Sequence, residues 1–297
     1  MMSKVSALEI TRPQMAGSES SHANSLQAVR LLAWRNALAR FGDSRLSRTL
    51  QYVVLPLSLL ALWEFLCRTS LVPAVSLPSP IVVASTLWQL VREGHLSVHI
   101  YVSLVRVMQG FSVAALLGLI LGVAVGISTT VARITDLIVQ LFRPIPPIAW
   151  IPLAILWFGI GEASKVYIIF LGAFFPIVIN VIDGIRQTDN RFVELANVLE
   201  VSRWKFIRRI VLPGALPSIM TGMRVGIGQA WACVVAAELI AAEQGVGYII
   251  VDGRELCQPD VVIAGMISIG VIGKLMDVAL KFLEVRLVPW KLHYNGE

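Results

Sequence analysis

Charge is scarce in this chain. Only 15% of its 297 residues are Asp, Glu, Lys or Arg, while 56% are hydrophobic and the mean hydropathy is +0.75; a soluble domain carries charge on about a quarter of its residues. A chain so composed cannot clothe a water-facing surface, which excludes an ordinary soluble globule and points to an integral membrane protein. Cysteine is scarce too. Cys67, Cys233 and Cys257 show no paired spacing, which excludes a disulfide framework or zinc site; a bridge between Cys67 and Cys257 is conceivable but not expected. The four histidines, His22, His95, His99 and His293, lie outside the long apolar runs. The His95/His99 pair has the i, i+4 spacing of a metal site but no third ligand, so it reads as a solvated face. Neither His-Glu-x-x-His nor Gly-x-Ser-x-Gly occurs, so a membrane-embedded enzyme is left without a catalytic set. The net charge of +6 is spread over loops rather than gathered in one stripe, so topology explains it better than nucleic acid does. No apolar core with a cleavage site opens the chain, and no cleavable signal peptide is expected.

What the chain has in abundance is long apolar runs. Six of them, at about 50–67, 102–127, 134–158, 166–182, 214–240 and 261–283, can cross about 30 Å of hydrocarbon. The expected fold is therefore all-α, with six transmembrane helices. Seven cations from Lys4 to Arg48 precede the first run and six from Arg186 to Arg209 follow the fourth; Lys281, Arg286 and Lys291 close the chain. With six spans all of these fall on one side, opposite Arg68, Arg92, Lys165 and Arg254, and the positive-inside rule makes that side cytoplasmic. Both termini are expected there. The domain reading is a cytoplasmic segment over 1–49, a six-helix membrane domain over 50–283 that includes a cytoplasmic loop at 184–213, and a cytoplasmic tail over 284–297.

Within 1–49 the first 24 residues are Ser-rich and read as disordered. Residues 26–40 interleave Leu31, Leu32, Trp34 and Leu38 with Arg30, Arg35 and Arg40, a pattern for a helix lying on anionic lipid or for a plain polar leader. Beyond the first run, Leu77-Pro78-Ser79-Pro80 followed by periodic apolar positions predicts a capped amphipathic helix within 76–94. Gly110, Gly118, Gly122 and Gly126 place small residues along one face of the second run, which lets helices approach closely; packing inside the chain is the first reading and a contact between two copies the second. Arg143-Pro144-Ile145-Pro146-Pro147 and Pro152 remove backbone donors from the third run, so a kink or unwound stretch is expected there, and with it a pore-lining position or an ordinary interior kink. Glu64, Arg106, Arg143, Arg224, Glu238, Lys274 and Asp277 are ionisable residues in or beside apolar runs. Such residues are functional candidates or members of structural ion pairs, and Lys274 and Asp277 can pair at i, i+3.

Glu194-Leu195-Ala196, then Glu200, then Ile210-Val211-Leu212-Pro213 lie in the basic loop. This spacing resembles the cytoplasmic signature of the permease subunits of ATP-binding-cassette importers: Glu-Ala-Ala, three residues, Gly, nine residues, Ile-x-Leu-Pro. Leu195 stands for the second-position Ala and Glu200 for the turn Gly, where a positive φ costs a non-glycine residue strain. The blocks 143–152, 157–165, 212–217, 236–240 and 245–248, with Gly222, Arg224, Trp231 and Trp290, are similar to taurine, aliphatic-sulfonate and nitrate permeases, and the resemblance covers roughly 50–291.

The resemblance implies a type I importer permease in a bacterial inner membrane. It implies a homodimer served by two ATPase subunits, which would bind ATP and Mg, and by a periplasmic substrate-binding protein. No cofactor on this chain, no metal, no catalytic residue and no nucleic-acid partner are expected. Coupling to the ATPase is implied for Glu194, Leu195, Ala196, Leu199, Glu200, Ser202, Ile210, Leu212 and Pro213, and a translocation route past Arg143, Pro146, Pro147, Trp150, Arg224 and Glu238. Taurine or an alkanesulfonate is the first expectation for cargo, and nitrate or bicarbonate the alternative. A secondary transporter or membrane enzyme is the rival class.

Overall fold

The computed structural model describes residues 45–69, 73 and 76–289, so the surface helix expected within 26–40 lies outside the described residues. The chain divides after Leu66 into two units. Helix α1, Arg45–Arg68, contains the first expected span and supplies the described part of the first unit. The second unit holds α2 (Pro80–Arg92), α3 (His95–Ile127), α4 (Thr129–Phe142), α5 (Ile151–Phe158), α6 (Glu162–Arg186), α7 (Asn190–Val198), α8 (Arg203–Phe206), α9 (Leu212–Ala241), α10 (Val246–Glu255) and α11 (Pro259–Leu287). No strand occurs among the described residues. Four stretches there are long and apolar enough to cross a membrane: α3, α6, the continuous run Arg203–Ile240, and α11.

The third expected span takes a different form. It runs through α4, a 3-10 turn at Pro147–Trp150 and α5, and the two halves meet at 87°. This is a right-angle break rather than a kink. Pro144, Pro146 and Pro147 lie within four residues of one another, and each removes a backbone donor while its ring crowds the preceding turn. The ring of Phe142 stacks on Trp150 across the break, with centroids 5.6 Å apart.

The core of the second unit sits between α3, α6 and α9, where Val107, Ile169, Ala173, Ile177, Ala230 and Val234 are buried. The glycine stripe of α3 explains how closely the first two helices pack. A methyl group added at Gly110, Gly118, Gly122 or Gly126 would lie 2.6–3.0 Å from side-chain atoms of Ile169, Ile177, Val181 and Ile185 in turn. The spacing along α3 is thus matched by branched residues along α6, and the stripe packs within the chain.

The capped helix expected within 76–94 is present as α2. Pro80 occupies its first turn, and the Ser79 hydroxyl accepts from the Val82 amide at 3.4 Å, satisfying one of the donors a helix leaves open at its start. Thr86 donates to Asp260 at 2.6 Å and ties α2 to the start of α11.

Candidate functional site

The loop between α6 and α9 is built as a short exposed helix ending in a tight turn. Asp189 caps α7 by accepting from the Arg191 amide at 2.9 Å. At the other end the Glu200 amide donates to the Asn197 carbonyl, and the Val201 amide to the Ala196 carbonyl at 2.9 Å. This double closure is a Schellman turn, which requires a left-handed residue after the cap. Glu200 occupies that position with φ 51°, so the glutamate adopts the conformation for which the resembling signature uses glycine. Ala196 is buried, whereas Leu195, Leu199 and Val198 are 53%, 63% and 80% exposed. Glu194 and Ser202 are exposed, and Trp204 is 70% exposed beside Arg203 and Lys205. Ile210 lies in a π-helical stretch, Ile207–Val211, that runs without interruption into Leu212 and Pro213 at the start of α9. The residues named for coupling therefore form one continuous helix, turn and helix, presenting apolar side chains and cations outward.

The residues named for a route fall into three places. Arg143, Pro146, Pro147 and Trp150 belong to the break between α4 and α5, where Arg143 and Pro147 line a cavity of about 350 Å3. Arg224 lies on α9 and is bound to α11: it donates to Asp277 at 2.8 Å and approaches Glu284 at 3.4 Å, while Lys274 pairs with the same Asp277 at 3.3 Å.

Glu238 is in the third place, fully buried and saturated with donors. It accepts from the Ser103 hydroxyl at 2.6 Å, from the Arg106 guanidinium at 2.9 Å and from the Gly247 amide at 2.9 Å. Arg106 in turn forks onto both oxygens of Glu162, at 2.5 and 2.6 Å, and reaches the Gln244 carbonyl at 2.6 Å. Lys165 adds a second cation to Glu162 at 3.0 Å. Two cations and two carboxylates thus balance in one cluster that joins α3, α6, α9 and the segment before α10, as buried charge requires. Gly245, at φ 130°, passes so close to the Glu238 carboxylate that a side chain there would collide with it.

His99 closes the same region and departs from the solvated face expected of it. Its Nδ1 accepts from the Gly245 amide at 3.0 Å and its ring stacks on Tyr248. Among the described residues no group of three potential metal ligands occurs, and the three cysteines are free.

Ser103, Asn180, Gln229 and the Glu162 end of the cluster were not singled out from sequence. A signal existed for some of them: a charge inside an apolar run demands a partner, and amides at 180 and 229 interrupt apolar runs without serving as caps.

Comparison with known proteins accords with this architecture. Residues 114–289 match the family described as binding-protein-dependent transport system inner membrane component. SsuC of Bacillus subtilis (strain 168), a permease named for aliphatic sulfonates, is 40% identical over 244 residues, covering 82% of this chain and 88% of its own length. The taurine transport system permease protein TauC of Escherichia coli (strain K12) is 38% identical, covering 78% of this chain and 86% of its own. The nitrate import permease protein NrtB of Synechocystis is 35% identical, again over 78% and 86%. A solved inward-facing structure of the MetNI methionine ABC transporter superposes on 68% of this chain and 98% of its own with a TM-score of 0.58 at 18% identity, a likeness of fold.

Proposed function

This chain belongs to the inner-membrane components of binding-protein-dependent transport systems, which makes it the multi-pass permease subunit of an ABC importer and not an enzyme, and we propose that its cargo is a small anionic or zwitterionic solute, taurine or an alkanesulfonate. Nitrate or bicarbonate is the second reading, favoured by the nitrate permease among the relatives.

In this proposal two copies of the chain form the pathway in a bacterial inner membrane, with six spans each and both termini cytoplasmic. A separate binding protein delivers the solute from outside. Two partner ATPases hold ATP and Mg and grip the loop carrying α7. Their closure favours one packing of the permease, and the loop transmits that difference to α6 and α9, to which it is directly joined.

The observation that carries the proposal is the exposed turn itself. Leu195, Val198, Leu199 and Trp204 stand clear of the chain's own core although the turn beneath them is closed by the Glu200 and Val201 amides, as expected of a preformed knob awaiting a groove. The test is Glu194→Lys in the complex of permease, ATPase and binding protein reconstituted in liposomes. Reversing a charge in an interface costs several kcal/mol, so stimulated ATP hydrolysis and uptake should both fall by about tenfold or more, with membrane insertion unchanged. Uptake at the wild-type rate would remove Glu194 from the coupling. A cysteine placed at Val198 should react with an impermeant thiol reagent only from the cytoplasmic side; labelling from outside would overturn the orientation.

A further inference from the structure

Two cavities adjoin at the break between α4 and α5. The first, of about 350 Å3, is walled by Arg143 and Pro147 from the break, Phe175 and Asn180 from α6, and Val225 and Gln229 from α9. The second, of about 300 Å3, lies between α4 and α6 and carries Asp136, Asp183 and Arg186. Arg143 and Ile179 line both. The first is large enough for a small solute, since ligand sites run from about 300 Å3 upward.

Its electrostatic character is simple. Arg143 is the one ionisable residue among the lining residues, and two amides, Asn180 and Gln229, supply the remaining polar side chains. Arg106, Lys165, Arg224 and Lys274 each lie within 3.3 Å of a carboxylate oxygen. Among the described residues, Arg143 has no carboxylate partner and no side-chain hydrogen bond. Its five donors are left without an internal acceptor. Asn180 spends one N–H on the Pro176 carbonyl at 2.8 Å, which fixes the amide in place and leaves its second N–H available.

A group with one negative charge spread over several oxygens can take the guanidinium fork and the amide donors together. A second charge of either sign would enter without a partner and bear the desolvation cost unrelieved. We propose that this first cavity is the solute-recognition site of the permease and selects a monoanionic sulfonate-type head group through Arg143, Asn180 and Gln229. The short apolar remainder of the solute lies against Phe175 and Val225. The ammonium group of a zwitterion finds its partners in the adjoining cavity, at Asp136 and Asp183. This site rests on the importer reading above and adds to it which residues discriminate and how the two ends of a zwitterion are separated.

The test uses the complete transporter in liposomes, with radiolabelled ethanesulfonate and taurine as probes. Both uptake and ATP hydrolysis stimulated by the loaded binding protein are measured. Arg143→Gln removes the charge; Gln229→Glu, nearly isosteric and at an exposed position, cancels it without altering volume. Each should lower uptake of both solutes about tenfold or more, the equivalent of one charge-assisted bond, while stimulated hydrolysis persists. Arg143→Lys should restore part of the uptake. Asp136→Asn with Asp183→Asn should lower taurine uptake and spare ethanesulfonate.

Unchanged ethanesulfonate uptake by Arg143→Gln and Gln229→Glu, with the wild type active, overturns the site and leaves the importer reading standing. Loss of stimulated hydrolysis in both variants overturns it too, since the residues would then serve the conformational cycle. A wild-type complex that hydrolyses ATP but carries neither solute overturns the cargo assignment beneath it.

Discussion

Glu200 shows how one residue can defy its local preference without changing the architecture. Its φ of 51° lies where a side chain crowds the backbone at a cost of about 1–2 kcal/mol, yet the two turn hydrogen bonds to Ala196 and Asn197 are both made. Glycine at this position relieves the crowding. Glu200→Gly should tighten the turn by about 1 kcal/mol, less the entropy glycine adds to the unfolded chain. Amide exchange across 196–202 should then slow several-fold; faster exchange would mean that the glutamate contributes a contact of its own. The motif spacing and the departure at 200 were readable from the sequence, but which way the backbone resolved the conflict was not. A strained residue persists only where its surroundings over-determine it, and those surroundings are tertiary.

Among elements, the packing of α3 on α6 was the most legible and the break between α4 and α5 the least. Small residues at 110, 118, 122 and 126 announce a close approach in any sequence, and Ile169, Ile177, Val181 and Ile185 supply the matching ridge. Gly122→Val should be severe, because a methyl there would stand 2.7 Å from Val181 Cβ and 3.1 Å from the Val178 carbonyl oxygen. Overpacking of this kind costs about 1–3 kcal/mol, visible as a lower unfolding temperature in detergent. Gly270→Ala, where nothing lies within 4 Å, serves as the comparison and should be neutral or slightly stabilising; equal losses from both would refute the close-packing account. The prolines at 144, 146 and 147 announced an interruption but not its angle. That depends on what each half packs against: α5 buries Ile151 and Ala154 in the core, whereas α4 buries no residue. Neither fact is local to the prolines.

For the whole molecule, the decisive polar feature is the cluster around Arg106 and Glu238, which binds three long helices and the segment before α10 to one another. Arg106→Ala would leave Glu238, with a side chain 0% exposed, as an uncompensated buried charge. Breaking a buried pair in this way costs about 3–5 kcal/mol, so the variant should unfold at a markedly lower temperature in detergent and give little folded protein. Arg106→Ala with Glu238→Gln removes both charges and should recover part of the loss. A double variant no more stable than the single one would show that the cluster acts through packing alone. The Glu162 carboxylate, exposed and held also by Lys165, is the more dispensable acid.

Composition alone determined that this chain belongs in a membrane, because too few charges exist to face water with so many apolar side chains. The run lengths, the side on which cations gather and the spacing of the loop signature likewise pointed to a permease, since each is a property of consecutive residues. Tertiary structure decided everything that joins residues distant in the chain. Ser103, Arg106, Glu162, Glu238 and Gln244 form one network, Arg224 is neutralised by Asp277, and Arg143 is left lining a cavity with no carboxylate partner of its own. The physical reason is common to all three: whether a charge is a structural tie or a free recognition group depends on what folds against it, and no local pattern carries that information.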